Sequence, residues 1–289
     1  MQLIFEVLGE ESYSIVGNER YNRTELCFSY QTSLFNSPLS KGSYEFPFLF
    51  SLPTSLPSSF SLQTKSFTAS ITYFLRVSIP QFSLTSHTSV GVMSKDPVEK
   101  PAKQEETYQL TCCCFASDFV RVSACLDKGE YYWGDSVLVT IGVDTLGASQ
   151  GVRAVRLEIV QIVRLRRVNA DALYFSNGIM SYNFPKELKA HTIYTEDSAI
   201  QVLLSLENPE IAGVTKGSIV ESGLRVNIRV MTESGRELLL TLPLAVRKRA
   251  TASYHPPLPN EWRPLVMAPA RLVCSSSKRF PASEANFRI

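Results

Sequence analysis

The sequence predicts an all-β protein, two β-sandwich lobes in tandem followed by a disordered tail. Three observations predict it. Apolar side chains recur at every second position in many short runs, the spacing that lines one face of a strand. Turn residues separate the runs, among them Lys41-Gly42, Asp127-Lys128-Gly129, Ser222-Gly223 and Ser234-Gly235. No stretch carries a helical period longer than about three turns, and Phe175 to Leu188 is too rich in Asn, Gly and Pro to be a helix. The length, 289 residues, exceeds one small sandwich and suits two domains of about 100–150 residues each.

The first lobe is placed at residues 1–93. It opens on Leu3-Ile4-Phe5-Glu6-Val7-Leu8-Gly9, and its most regular run is Phe46, Phe48, Phe50 and Leu52 alternating with Pro47, Leu49 and Ser51. Pro47 lacks an N–H and suits an edge strand or a bulge, while Pro53 and Pro57 stop the strand from continuing. Residues 94–109 read as a linker, charged, holding Pro97 and Pro101, and without apolar periodicity. The second lobe, 110–246, carries Val120-Val122-Ala124-Leu126, Val137-Val139-Ile141-Val143 and Val155-Leu157-Ile159-Val163, where Gln161 interrupts the series. Val226-Ile228-Val230 and Leu238-Leu240-Leu242 follow. Residues 247–289 hold six prolines and many Ser, Ala and Arg, and are expected to be disordered or loosely docked.

Composition narrows the function. Hydrophobic residues make up 44% and charged ones 19%, so the chain can bury an ordinary globular core. A net charge of +2 makes no case for bulk nucleic-acid binding. The charge is unevenly placed: eight basic and two acidic residues lie from Arg247 onward, against 21 basic and 25 acidic before it. A basic tail favours an acidic partner or an anionic membrane surface, with Arg247-Lys248-Arg249 the densest cluster. The longest apolar stretch, Leu238 to Val246, is interrupted by Thr241 and Pro243 and is too short to cross a bilayer. The start of the chain lacks the basic and apolar regions of a secretory leader. The six cysteines are Cys27, Cys112, Cys113, Cys114, Cys125 and Cys274; their spacing is not that of a disulfide framework, and a reduced cytoplasmic setting follows.

Three stretches resemble the alpha-arrestins, the arrestin-domain-containing proteins. Gly42-Ser43-Tyr44-Glu45-Phe46-Pro47-Phe48-Leu49-Phe50-Ser51-Leu52-Pro53, with Leu56-Pro57-Ser58-Ser59-Phe60 after it, is similar to a strand and turn of that family's N-lobe, and Ile71 to Val77 to the strand that follows. Val122 to Val137, through Asp127-Lys128-Gly129-Glu130-Tyr131-Tyr132-Trp133-Gly134-Asp135, resembles the strand, turn and strand that open the C-lobe, and Leu242-Pro243-Leu244 the segment that closes it. The resemblance implies two immunoglobulin-like sandwich lobes and a cytosolic trafficking adaptor. Such an adaptor binds membrane cargo or receptor tails in endocytosis and sorting, peripherally at the plasma membrane or endosomes. Two departures stand out. The family's Tyr-x-Pro-Gly-Glu turn reads Tyr132-Trp133-Gly134-Asp135 here, and it occurs once where two lobes would carry it twice. The opening strands of the N-lobe are therefore expected to be absent. A retromer-type coat subunit and an unrelated ligand-binding sandwich are the rival readings.

The chemistry the residues offer is that of recognition. His87, His191 and His255 are scattered, and although Glu196 and Asp197 follow His191, no nucleophile motif accompanies them. No glycine-rich phosphate loop is present. The expectation is a non-enzyme without cofactor or metal. Cys112-Cys113-Cys114 would alternate faces on a strand, which suits simple partial burial first, and S-acylation better than a metal site. Pro256-Pro257-Leu258-Pro259 fits the extended left-handed helix that WW grooves bind, although the family's ligase-recruiting Pro-Pro-x-Tyr is not there.

Overall fold

The computed structural model describes residues 1–16, 21–38, 42, 46, 48–94, 100–110, 118–184, 187–247 and 265–266. Within these the chain is all-β, its only helical turns being two short 3₁₀ segments, Pro80–Phe82 and Glu196–Ser198. The first lobe contributes β1 (Gln2–Ile15), β2 (Tyr21–Asn36), β3 (Phe48–Leu49), β4 (Phe60–Gln63), β5 (Phe67–Ile79) and β6 (Leu84–Val90). The second contributes β7 (Lys103–Gln109), β8 (Phe119–Leu126), β9 (Tyr131–Tyr132), β10 (Ser136–Asp144), β11 (Val152–Leu165) and β12 (Leu173–Phe184). It continues through β13 (Ile193–Tyr194), β14 (Ile200–Ser205), β15 (Thr215–Lys216), β16 (Val220–Thr232), β17 (Glu237–Leu244) and β18 (Val246–Arg247). Far along the tail, β19 (Leu265–Val266) pairs in parallel with β3.

The N-lobe sheet runs β2-β1-β5, and β4 and β6 share the far side of β5. Strand β1 shows why it folds: Leu3, Phe5, Val7, Gly9, Glu11 and Tyr13 alternate inward, and the residues between them are half-buried. The C-lobe is a two-sheet sandwich. One sheet runs β7-β8-β10, with β13 and β14 on the far side of β10. The other runs β12-β11-β16, with β15 and β17 on the far side of β16. Every apolar series predicted to face inward in this lobe does so: Val122, Val139, Leu157, Ile228 and Leu240 are among the fully buried side chains of one cluster. Burying each such side chain contributes about 1.5–3 kcal/mol, which makes this cluster the main stabiliser of the lobe.

The turn that opens the C-lobe is a small hydrogen-bonded device. Tyr131 is fully buried and its hydroxyl donates to Asp127 Oδ1 at 2.7 Å, while Lys128 N–H donates back to that hydroxyl at 3.0 Å. Burial is the chief cause that pushes the Tyr131 hydroxyl pKa up. Asp135 accepts from Tyr132 N–H at 2.9 Å, and Gly134 takes φ 89°, a left-handed value that favours glycine. The turn thus presents β9 to β18, the last strand of the lobe.

Three expectations need correction. Lys103–Gln109, read as linker, is an edge strand paired with β8 along its whole length. Its charged, aperiodic sequence reflects an edge with most of its side chains in solvent. Ser222-Gly223, read as a turn, lies inside β16. Of the described residues in the run Phe46 to Leu52, the ladder includes Phe48–Leu49 alone; Phe50 instead fills the core as a plug, its ring 4.8 Å from Tyr30 and 6.0 Å from Phe28. The tail expected to be disordered from residue 247 lies outside the described residues, apart from β19 and from Arg247, which is instead a strand residue of β18 paired with Tyr132.

Candidate functional site

The two lobes meet along one seam, and its centre is a carboxylate. Glu11 occupies the inward row of β1, a position that alternation assigns to an apolar side chain, and it is completely buried. Opposite stands the tight turn between β15 and β16, closed by Gly217 N–H donating to Val220 O at 2.8 Å. That turn aims its donors at the carboxylate. Oε1 accepts from Ser218 N–H at 2.8 Å and from Ser218 Oγ at 3.2 Å, while Oε2 accepts from Ile219 N–H at 2.8 Å and Val220 N–H at 3.2 Å. Among the described residues no Lys or Arg forms an ion pair with Glu11. Three backbone N–H groups and the Ser218 hydroxyl offset the desolvation of this carboxylate. Gly217 permits the approach: a Cβ there would lie 2.4 Å from Glu11 Oε2.

Around this latch the seam is part polar, part apolar. Tyr13, two residues along the same row, donates its hydroxyl to Arg166 O at 2.8 Å, and Arg23 Nη1 donates to the same carbonyl at 2.6 Å. Burial is the main cause that raises the Tyr13 hydroxyl pKa, and the neighbouring Tyr21 adds to it. Thr215 Oγ1 donates to Ser58 O at 2.9 Å. Phe67 of the N-lobe sits 4.4 Å, ring to ring, from Phe175 of the C-lobe. Val163, Leu165, Ala212, Ile219 and Val220, all from the C-lobe, belong to the same buried cluster as Phe5, Val7 and Tyr73. Replacing Tyr13 by Phe is expected to lower stability by about 1 kcal/mol, because one buried hydrogen bond is lost while Arg23 still satisfies the carbonyl; urea unfolding checks it.

Gln161 marks where one core ends and the other begins. It keeps the inward phase of β11, almost wholly buried between Ile159 of the C-lobe cluster and Val163 of the seam cluster. Its amide donates to Ser222 Oγ at 2.5 Å and Gly223 O at 3.1 Å and accepts from Ala212 N–H at 3.3 Å. What looked like a break in a strand pattern is a satisfied polar partition.

The residues singled out from sequence fall elsewhere. Arg247 lies in β18, forms an ion pair with Glu130 and donates to Ser94 O at 2.9 Å, so its charge is engaged within the fold. Lys248, Arg249, Cys112, Cys113, Cys114, Pro256, Pro257, Leu258 and Pro259 lie outside the described residues. His87 sits in β6 beside Phe74, and His191 turns its Nδ1 toward Leu146 O at 3.1 Å. Among the described residues no group of three or more His, Cys, Asp or Glu is arranged to hold a metal. No described helix is long and apolar enough to cross a membrane. Glu11 and Gln161 were missed, although each carried a signal: a polar side chain in the apolar phase of a long strand.

Residues 8–93 match the family model described as Arrestin (or S-antigen), N-terminal domain. The match covers most of the N-lobe, with Glu11 inside it. No curated protein matches the chain.

Proposed function

We propose that this protein is a cytosolic arrestin-like adaptor that binds membrane cargo or receptor tails and links them to sorting machinery in endocytosis. The observation that carries the reading is an arrestin-type N-lobe joined to a second β lobe through one seam around Glu11. Two lobes tied in this way form a scaffold whose loops and strand edges recognise extended peptides without chemical change, as binding modules do. The alpha-arrestin assignment rests on the motifs from Gly42 to Phe60 and from Val122 to Val137. Immobilised peptides copied from the cytosolic tails of membrane proteins, each beside its scrambled version, test the function with the purified full chain. Selective retention of some tails is expected; equal retention of every tail and its scramble would sink the adaptor reading.

The tail adds two contacts to the proposal. Lys248 and Arg249 supply attraction to anionic lipid, about 1 kcal/mol for each basic residue near the surface, with Arg247 contributing less because Glu130 pairs with it. Pro256-Pro257-Leu258-Pro259 supplies a preformed extended helix for a WW domain. S-acylation within Cys112-Cys113-Cys114, in the segment between β7 and β8, would hold the C-lobe at the membrane. Sedimentation with phosphatidylserine vesicles is expected to fall when Lys248 and Arg249 are both changed to Gln. Unchanged sedimentation would remove the lipid role and leave the tail-peptide result standing.

A further inference from the structure

Strand β6 is an unguarded edge. Among the described residues its only sheet partner is β5, and every residue from Leu84 to Ser89 is exposed. Exposed edges are normally protected by charge, proline or a bulge, because an open row of backbone N–H and C=O groups templates pairing with another chain. The other long edges carry such protection. β2 holds Arg23 and Glu25 and shifts register twice against β1. β7 holds Lys103, Glu105 and Glu106, β17 holds Glu237 and Pro243, and the β11–β12 ladder shifts register beside Val160. β6 holds no Lys, Arg, Asp, Glu or Pro, and its seven-residue ladder to β5 runs without a shift from Leu84 to Val90. Strand β14 is also uncharged, but its order Ile-Gln-Val-Leu-Leu-Ser has no symmetry.

The order of β6, Leu-Thr-Ser-His-Thr-Ser-Val, reads almost the same in both directions about His87. We propose that β6 is a homodimer edge, pairing antiparallel with β6 of a second copy across a two-fold axis at His87. In that register Leu84 faces Val90 of the other copy, Thr85 faces Ser89, Ser86 faces Thr88, and the two His87 meet at the axis. An antiparallel strand opposed to itself makes an isologous contact, the commonest symmetry of soluble oligomers. Each cross-strand pair joins side chains of like polarity and similar size, with no opposed carboxylates or ammonium groups to repel. Phe82 and Leu84, 62% and 59% exposed, lie at the end of the strand and gain cover from the partner copy. The buried area is small, so the dimer is weak and concentration-dependent.

Sedimentation equilibrium on the full chain over a micromolar range tests this with two double variants at exposed positions. Ser86→Glu with Thr88→Glu sets carboxylates opposite each other twice, and should weaken association about tenfold or more. Ser86→Lys with Thr88→Glu sets opposite charges across the same pairs, and should retain the wild-type dimer. Circular dichroism confirms that both variants keep the fold. A wild-type chain that stays monomeric, or a dimer that the double Glu variant leaves intact, overturns the proposal. Loss of the dimer in the Lys/Glu variant overturns the register about His87.

Discussion

Replacing Glu11 by Gln is expected to cost about 2–4 kcal/mol, a large share of a stability that for most domains is only about 5–15 kcal/mol. The change is isosteric, so packing does not explain it. Both carboxylate oxygens accept from backbone N–H groups, Oε1 from Ser218 and Oε2 from Ile219 and Val220. Whichever way the Gln amide turns, its NH₂ faces a backbone N–H, and at least one buried donor loses its acceptor. Glu6→Gln is the control. That carboxylate pairs with Arg76, whose side chain is 41% exposed, and solvent screening limits the loss to about 1 kcal/mol or less. Urea unfolding gives both values, and hydrogen exchange locates the first. The Ile219 and Val220 amides should lose protection in Glu11→Gln and keep it in Glu6→Gln. Equal losses in the two variants would mean that the latch contributes no more than a surface ion pair.

How much of this was legible in the sequence depends on where the meaning of each residue resides. Alternation is local, and it located the C-lobe core: Leu157, Ile228 and Leu240 are buried where period two puts them. It failed on the edge strand Lys103–Gln109, where five of seven side chains are exposed and only Tyr108 packs against the core, too few inward positions to mark a period. It also failed where side chains plug a core from a segment that is mostly outside the ladder, as Phe50 does. Ser222-Gly223 has the composition of a turn, yet Ser222 is buried mid-strand because Gln161 and Gly213 O take its hydroxyl as partner. The seam was least legible of all. Glu11 acquires its role from Ser218, Ile219 and Val220, more than 200 positions away. Read on its own, a glutamate between Gly9 and Tyr13 is a surface charge; its inward phase on β1 is the single clue that it is not.

The second large effect concerns the independence of the lobes. A fragment of residues 1–94 is expected to show no cooperative unfolding, whereas residues 100–247 should keep a cooperative transition. The asymmetry follows from which lobe completes its own core. The C-lobe cluster around Leu157, Ile228 and Leu240 lies between two five-stranded sheets of the same lobe. The N-lobe cluster instead incorporates Val163, Leu165, Ile219 and Val220 from across the seam. Removing those four large side chains uncovers apolar surface worth on the order of 6–12 kcal/mol, as much as a whole domain's stability. Glu11 loses its four donors in the same step and must find water in their place, which opens the inner face of β1. The C-lobe fragment gives up contacts around one end of β11 and β16, together with those of Phe175 in β12, Thr215 in β15 and Arg247 in β18, and Gln161 closes that end with bonds made to its own lobe, to Ser222, Gly223 and Ala212. Thermal unfolding followed by circular dichroism, with the dispersion of amide proton shifts, distinguishes the two fragments. A sharp transition in residues 1–94 would show that the aromatic cluster around Phe5 suffices without the C-lobe, and that the seam joins two finished domains instead of completing one of them.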